Sequence, residues 1–281
     1  MHHYWRLIRP GLLAMVLFSM AMAAWTAGPQ PSPWSRLGPA LFGTAMLIAG
    51  AVAMNQRRER DTDAAMARTV GRPLPSRGLS ARAVTRFAIG CTVMGLVGLA
   101  VLVDMTLAFL GAASWGLYVL VYTPLKRRSL WQTPVGAVAG AIPMLLGAAA
   151  ADALWTPMAL ALFGIVFFWQ FPHTMAIAWR YRDQFDAGAI LVAPVTDPSG
   201  RLAGRLALGG AAGLVIVSLI PAWLVSVPWP YVAVASVLGM FHLAVAIRFM
   251  NCPDDASARF LGRVGMVHLP VLLAFFLWAV R

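Results

Sequence analysis

Ten acidic residues occur in the 281-residue chain, and three of them, Glu59, Asp61 and Asp63, fall within five positions. Asn55 precedes them. Asn55, Glu59 and Asp63 are spaced i, i+4, i+8, so a helix carried through this segment aligns them on one face, with Asp61 pointing off it. Like charges one turn apart oppose a helix by roughly 0.2–0.5 kcal/mol. A divalent cation reverses that sign. Magnesium suits so sparse a set, because it takes one or two carboxylates and completes its sphere with phosphate oxygens and water. The residues alone leave a second reading open, in which the acids are solvated and pair with Arg57, Arg58 and Arg60.

Asp183 and Asp186 form a second acidic cluster in Arg180-Tyr-Arg-Asp-Gln-Phe-Asp186. Arg68, Arg72, Lys126, Arg127, Arg128, Arg180 and Arg182 surround the two clusters in sequence. Arginine forks match phosphate oxygens and lysine supplies a point charge, so the pattern fits a magnesium-bridged diphosphate. The same basic residues also serve membrane topology.

The elements that position these loops are apolar helices. Of the residues, 60% are hydrophobic and 11% charged, against roughly a quarter charged in a soluble domain. Apolar runs occupy 12–27, 37–54, 86–103, 105–122, 134–151, 156–179, 205–227, 229–247 and 264–280. They predict an all-α membrane protein of about nine spanning helices in a single domain over 1–281. With a cytoplasmic N-terminus, 20 of the 22 basic residues fall on the cytoplasmic side and only Arg36 and Arg281 do not. The net charge of +12 is thus topological, and nucleic acid is not an expected partner. The first run has the flanks of a signal peptide, but the charge alternation works with it retained. Asp104, Asp152 and Pro228 mark tight outside turns, and the connection at 28–36 is Pro-rich. The longest inside connections, about 55–85 and 180–204, carry both acidic clusters. Cys91 and Cys252 lie in different settings and are read as structural; no Cys/His spacing suggests zinc. His173, His242 and His268 are the titratable groups well inside predicted spans, which makes them functional suspects. A hydrogen-bonded core histidine is the commoner outcome for each. An Arg-rich, Lys-poor composition suggests a GC-rich bacterial genome, and the apolar runs make the expected location the bacterial cell (inner) membrane, crossed several times.

The chain resembles the UbiA superfamily of membrane prenyltransferases and, within it, the branch that farnesylates protohaem IX. The resemblance begins with Tyr4-x-x-Leu-x-Arg-Pro10 and continues through Asn55-x-x-x-Glu59-x-x-x-Asp63 and Arg68-Thr-Val-Gly-Arg72-Pro73. Tyr122-Thr-Pro-Leu-Lys-Arg-Arg128, Gly136-Ala-Val-Ala-Gly-Ala-Ile-Pro143 and Trp169-Gln-Phe-Pro-His173 follow. Glu59 stands where the family has Asp, Phe171 where it has Pro, and Asp183 sits one position early, with Gln184-Phe185 in place of a closing Asp-Tyr.

The resemblance implies a UbiA-like bundle that moves a farnesyl group from farnesyl diphosphate to a haem b vinyl group, giving the hydroxyethylfarnesyl substituent of haem O. Magnesium would sit on Asn55, Glu59, Asp63 and Asp183, the set implied to be catalytic. Arg68, Arg72, Lys126, Arg127 and Arg180 would hold the diphosphate. Trp169, Gln170, His173 and Tyr122 would line the haem pocket, with Tyr118, Tyr122, Phe168 and Trp169 available to face an allylic cation. The product would pass to a haem A synthase or a terminal-oxidase assembly protein. Two alternatives share these loops: a prenyltransferase acting on a quinone-precursor ring, and a non-catalytic haem-binding assembly paralogue. Transport is disfavoured, because no Asp, Glu, Lys or Arg falls mid-span.

Overall fold

A computed structural model describes residues 2–28, 34–225 and 228–279. Residues 29–33 of the Pro-rich connection and Arg281 lie outside these. Nine helices among the described residues are long and apolar enough to cross a membrane, in agreement with the count expected from the sequence. They are α1 (Pro10–Ala27), α2 (Ser35–Arg58), α3 (Ala81–Leu102), α4 (Met105–Leu125), α5 (Gln132–Ala150), α6 (Pro157–Arg180), α7 (Arg201–Leu224), α8 (Trp229–Asn251) and α9 (Asp255–Ala279). At about 1.5 Å per residue, such lengths match a hydrocarbon core of about 30 Å.

Local chemistry sets the helix starts. The side chains of Ser80, Asp104 and Thr156 accept hydrogen bonds from the amides of Ala83, Leu107 and Ala159, respectively. Pro10 and Pro157 open α1 and α6, where a missing N–H costs nothing. Pro39, Pro143, Pro172 and Pro270 sit inside spans, a placement that membrane helices tolerate. The chain divides into two compact units, one of Met1–Leu154 with Asp186–Ile190, the other of Trp155–Phe185 with Leu191–Arg281.

In the first unit, α2 and α3 approach closely because small residues face each other. A Cβ on Gly95 would stand 2.7 Å from the Gly43 carbonyl oxygen, so a larger residue there would push the helices apart. Asp104 and Asp152, at two of the expected tight turns, both pair with Arg36. Composition singled out Arg36 only as an exception to the charge alternation, and the structure gives it these two partners. At the opposite end of this unit, Gln56 donates to the Leu7 carbonyl at 2.7 Å, and Arg58 donates to that of Val119 at 2.8 Å. Cys91 is buried and Cys252, in the second unit, is exposed.

The second unit packs α6 to α9 around Met175, Trp179, Ala207, Phe249 and Leu261. The Tyr231 hydroxyl, on α8, donates to the Ser218 carbonyl on α7 at 2.7 Å. Arg182 pairs with Asp255 at 3.0 Å and ties the end of α6 to the start of α9. Glycine at 200 adopts φ 77° and lies against Pro253 and Trp179, so a side chain there would be both strained and crowded.

Candidate active site

The helix of α2 does not stop cleanly at Arg58. The Glu59 amide donates to the Asn55 carbonyl at 2.9 Å, and the Asp63 amide to that of Glu59 at 2.7 Å. A short helix, Arg60–Ala64, follows. The i to i+4 path therefore runs through the acidic segment, and Asn55, Glu59 and Asp63 share a face as their spacing predicts. Asp61 is exposed and pairs with its neighbour Arg60 at 3.2 Å.

The partners of Glu59 and Asp63 are not the arginines next to them in sequence. Arg72 donates from Nη1 to both oxygens of Asp63 at 2.7 Å. Lys126 Nζ lies 2.8 Å from Glu59 Oε1. Asn55 Nδ2 donates to Glu59 Oε2 at 2.8 Å. Thr123 Oγ1 stands 2.9 Å from Asn55 Oδ1 and 2.8 Å from the Tyr118 carbonyl oxygen, its single hydrogen shared between them. Lys126 also sits over the Tyr122 ring, 4.5 Å from its centroid. Two carboxylates and two cations thus make a nearly closed, neutral network. Asp63 is 1% exposed and the side chain of Lys126 15%.

The local fold explains the convergence. Within α4, residues Leu117–Tyr122 form a π-helical turn, a wide turn often found at functional sites. It is followed by Thr123 and Pro124, and the Tyr118 and Tyr122 rings stand 5.5 Å apart. After Asp63 the chain folds back on itself: the Thr69 hydroxyl donates to the Asp63 carbonyl at 2.9 Å, and the Arg72 amide to that of Thr69. This return brings Arg72 to the acid nine positions before it. Arg6, from the short helix His2–Ile8, donates to the Gly71 carbonyl at 2.7 Å and braces the same return.

Burial and charge act on this network in opposite senses. Burial pushes the Asp63 carboxyl above its ordinary range, and the Arg72 guanidinium offsets that only in part. Burial alone would lower Lys126, but Tyr122, Glu59 and Tyr118 hold it above its ordinary value. Its ammonium stays charged.

Arg68 and Arg127 are exposed on the connections that carry Arg72 and Lys126. In the second unit, Arg180 is exposed with its guanidinium 5.5 Å from the Tyr181 ring centroid, and Asp183 is exposed in the first turn of Arg182–Ala187. Trp169 is buried and its Nε1 donates to the Gly265 carbonyl at 2.6 Å. Its ring stacks on His173 at 4.6 Å, and Gln170 donates to the Val166 carbonyl at 3.2 Å. Thr123 is the residue that sequence reasoning passed over. It lies within the quoted Tyr122-Thr-Pro string, and nothing in sequence spacing links it to Asn55, 68 positions earlier.

The described residues hold no ready-made cluster of three His, Cys, Asp or Glu side chains disposed around a cation. The donor set is instead an amide oxygen and two carboxylates, all hard oxygen ligands. That set fits a magnesium ion which shares its sphere with a bound phosphate group, and not one caged by protein alone.

Comparison with known proteins agrees along nearly the whole chain. The UbiA prenyltransferase family matches residues 16–279. A protein of Solibacter usitatus named protoheme IX farnesyltransferase is 34% identical, over 99% of this chain and 98% of its own length. One of Opitutus terrae with the same name is 35% identical over 96% of this chain and 92% of its own length. Among solved structures, one from work on digeranylgeranylglyceryl phosphate synthase superposes with a TM-score of 0.84 at 14% identity, covering 99% of this chain and 98% of that one. A UbiA homolog from Archaeoglobus fulgidus bound to DMAPP and Mg2+ gives 0.66 at 14% identity, covering 99% of this chain and 98% of that one. With a family match from residue 16 to 279 and full-length relatives at a third identity, the chain belongs to the UbiA prenyltransferase family.

Proposed function

We propose that the chain transfers a farnesyl group from farnesyl diphosphate to a vinyl group of protohaem IX, with the diphosphate held at the Asn55–Glu59–Asp63 face. The observation that carries the donor half is the buried network of two carboxylates, each already matched to a cation. The acceptor half is supported by the name that near-full-length relatives share and by Trp169-Gln-Phe-Pro-His173.

In the free protein Lys126 and Arg72 neutralise Glu59 and Asp63. These carboxylates and the Asn55 oxygen would hold a magnesium-bound diphosphate, with Asp183 of the second unit as the further ligand that the resemblance implies, and Lys126 and Arg72 would be available to the phosphate oxygens. Magnesium bound there would supply the charge neutralisation that makes the diphosphate a leaving group. Arg68, Arg127 and Arg180 add positive charge from exposed positions. Thr123 and Glu59 fix the Asn55 amide between them, so its oxygen keeps one orientation. The prenyl chain lies among apolar helices, where the allylic carbon is shielded from water. Trp169, Gln170 and His173 in the second unit, and Tyr122 in the first, are the residues that the resemblance assigns to the acceptor. Residues 1–281 are read as one functional domain, because the family match runs through both units. The end of the molecule bearing the acidic network faces the cytoplasm of a bacterial cell by the distribution of basic residues.

The test is mass spectrometry of haem recovered from the purified protein with haem b, farnesyl diphosphate and magnesium. The expected product is haem carrying an added farnesyl group and water, absent with chelator. Prenylation of quinone-precursor rings but not haem would replace the acceptor. Haem binding without any turnover would make the chain an assembly protein.

A further inference from the structure

Three buried imidazole nitrogens in the second unit have no hydrogen-bond partner among the described residues: Nδ1 of His173, Nε2 of His242 and Nε2 of His268. All three rings belong to one cluster. His242 is 0% exposed, His268 is 1% exposed, and their Nδ1 atoms stand 3.3 Å apart. A Cβ built on Gly265 would lie 3.7 Å from His173 Nδ1 and 3.8 Å from His242 Cε1, so this glycine marks the space between the two rings. Trp169 holds the arrangement, donating to the Gly265 carbonyl at 2.6 Å while stacking on His173.

Tautomer bookkeeping gives the cluster a direction. A neutral imidazole has one N–H and one lone pair. The Nδ1–Nδ1 contact uses the N–H of one ring and the lone pair of the other. The donating ring is therefore left with a lone pair at Nε2, and the accepting ring with an N–H at Nε2. His268 also has the Leu238 backbone as a hydrogen-bond partner, so the orphans that meet at Gly265 are His242 Nε2 and His173 Nδ1. Orphaned groups of this kind are rare in native interiors. Water is a small molecule that both donates and accepts, and a polar site offering two to four partners is what it requires.

We propose that the His173–His242–His268 cluster binds the water that hydrates the alkylated vinyl group, and that a histidine lone pair takes its proton. The inference rests on the reading that the chain farnesylates haem. In that reaction the C–O bond to diphosphate breaks with its electron pair on the leaving group. The vinyl π pair forms the new C–C bond at its terminal carbon and leaves a cation on the inner carbon. Water oxygen bonds to that carbon, and one water proton passes to the Nε2 lone pair. The Nδ1–Nδ1 contact then lets the proton be shared by the second ring. Without water held here, the cation loses a proton from the adjacent carbon and gives an alkene one water lighter.

The experiment compares wild type with His242→Leu, His268→Leu and Gly265→Ala, each given haem b, farnesyl diphosphate and magnesium in water enriched in heavy oxygen. The readout is the ratio of dehydrated to hydrated farnesyl-haem by mass spectrometry. Gly265→Ala meets its neighbours at ordinary contact distance, so it fills the space without forcing the fold. The expected result is heavy oxygen in the wild-type product and a ratio raised at least about tenfold in the variants, the scale of losing a general base. An unchanged ratio in all three overturns the inference. Loss of every product in all three, with wild type active, also overturns it, since carbon–carbon bond formation does not require this water. No farnesylated haem from wild type overturns the transfer reading and the inference with it.

Discussion

Asp63 and His242 are both almost fully buried, but their surroundings differ in kind. Asp63 meets both guanidinium bonds of Arg72, and its neighbour Glu59 meets Lys126. His242 touches another neutral ring at Nδ1 and leaves Nε2 without a partner. The carboxylates Glu59 and Asp63 are thus paired before any ligand arrives, whereas the outer nitrogens of the histidine cluster are not. Leaving a carboxylate unpaired at such burial would cost far more than leaving an imidazole nitrogen unpaired. A site for a highly charged diphosphate is therefore stabilised by internal counter-ions that can change partners. The proposed hydration site is built of neutral rings, and its unpartnered nitrogens are what a water molecule would meet.

Breaking the pairing in the first unit has the largest expected effect. Asp63→Ala removes a proposed metal ligand and leaves the half-buried Arg72 without its carboxylate; kcat is expected to fall by about 10²–10³-fold, the scale of losing a preorganised electrostatic group. The same variant is expected to lower the melting temperature. Asp183→Ala tests the same role at an exposed acid, and there activity falls while the melting temperature holds. Equal stability losses for both would contradict the contrast in burial. Lys126→Met follows, expected to cost about 10²-fold in kcat/KM through lost phosphate contact, by the same order of electrostatic loss. Thr123→Val is the smallest change, expected at about fivefold in kcat/KM, because it removes about one neutral hydrogen bond of roughly 1 kcal/mol from Asn55.

Acidity sharpens the comparison without a mutation. On the proposed reading proton and metal compete for the Asp63 oxygens, and burial holds the carboxyl above its ordinary value of 3.8. The acid limb of magnesium-dependent activity is therefore displaced to higher pH than an exposed aspartate would give. Raising magnesium concentration is expected to move that limb back down. A limb insensitive to magnesium would assign it to another group.

How far these sites can be read from sequence depends on the range of the forces involved. The nine spans follow from apolar runs alone, because a bilayer rewards length and composition and not particular partners. The shared face of Asn55, Glu59 and Asp63 follows from helical spacing, since backbone hydrogen bonds carry the turn through Glu59. Their partners do not follow. Arg58 turns to the Val119 carbonyl, whereas Lys126, 67 positions beyond Glu59, becomes the counter-ion, because the π-helical turn in α4 redirects the chain there. Arg36 likewise finds Asp104 and Asp152 only once the helices pack. The histidines were visible as titratable groups inside spans, but their convergence at Gly265 is a property of three helices together.

The most direct test of the account is diphosphate release, measured against farnesylated haem formed, in wild type and Asp63→Asn. The account predicts release that requires both haem and magnesium, matches the product one for one, and nearly disappears in the variant. Release that proceeds equally without haem, or that survives in Asp63→Asn, would contradict it.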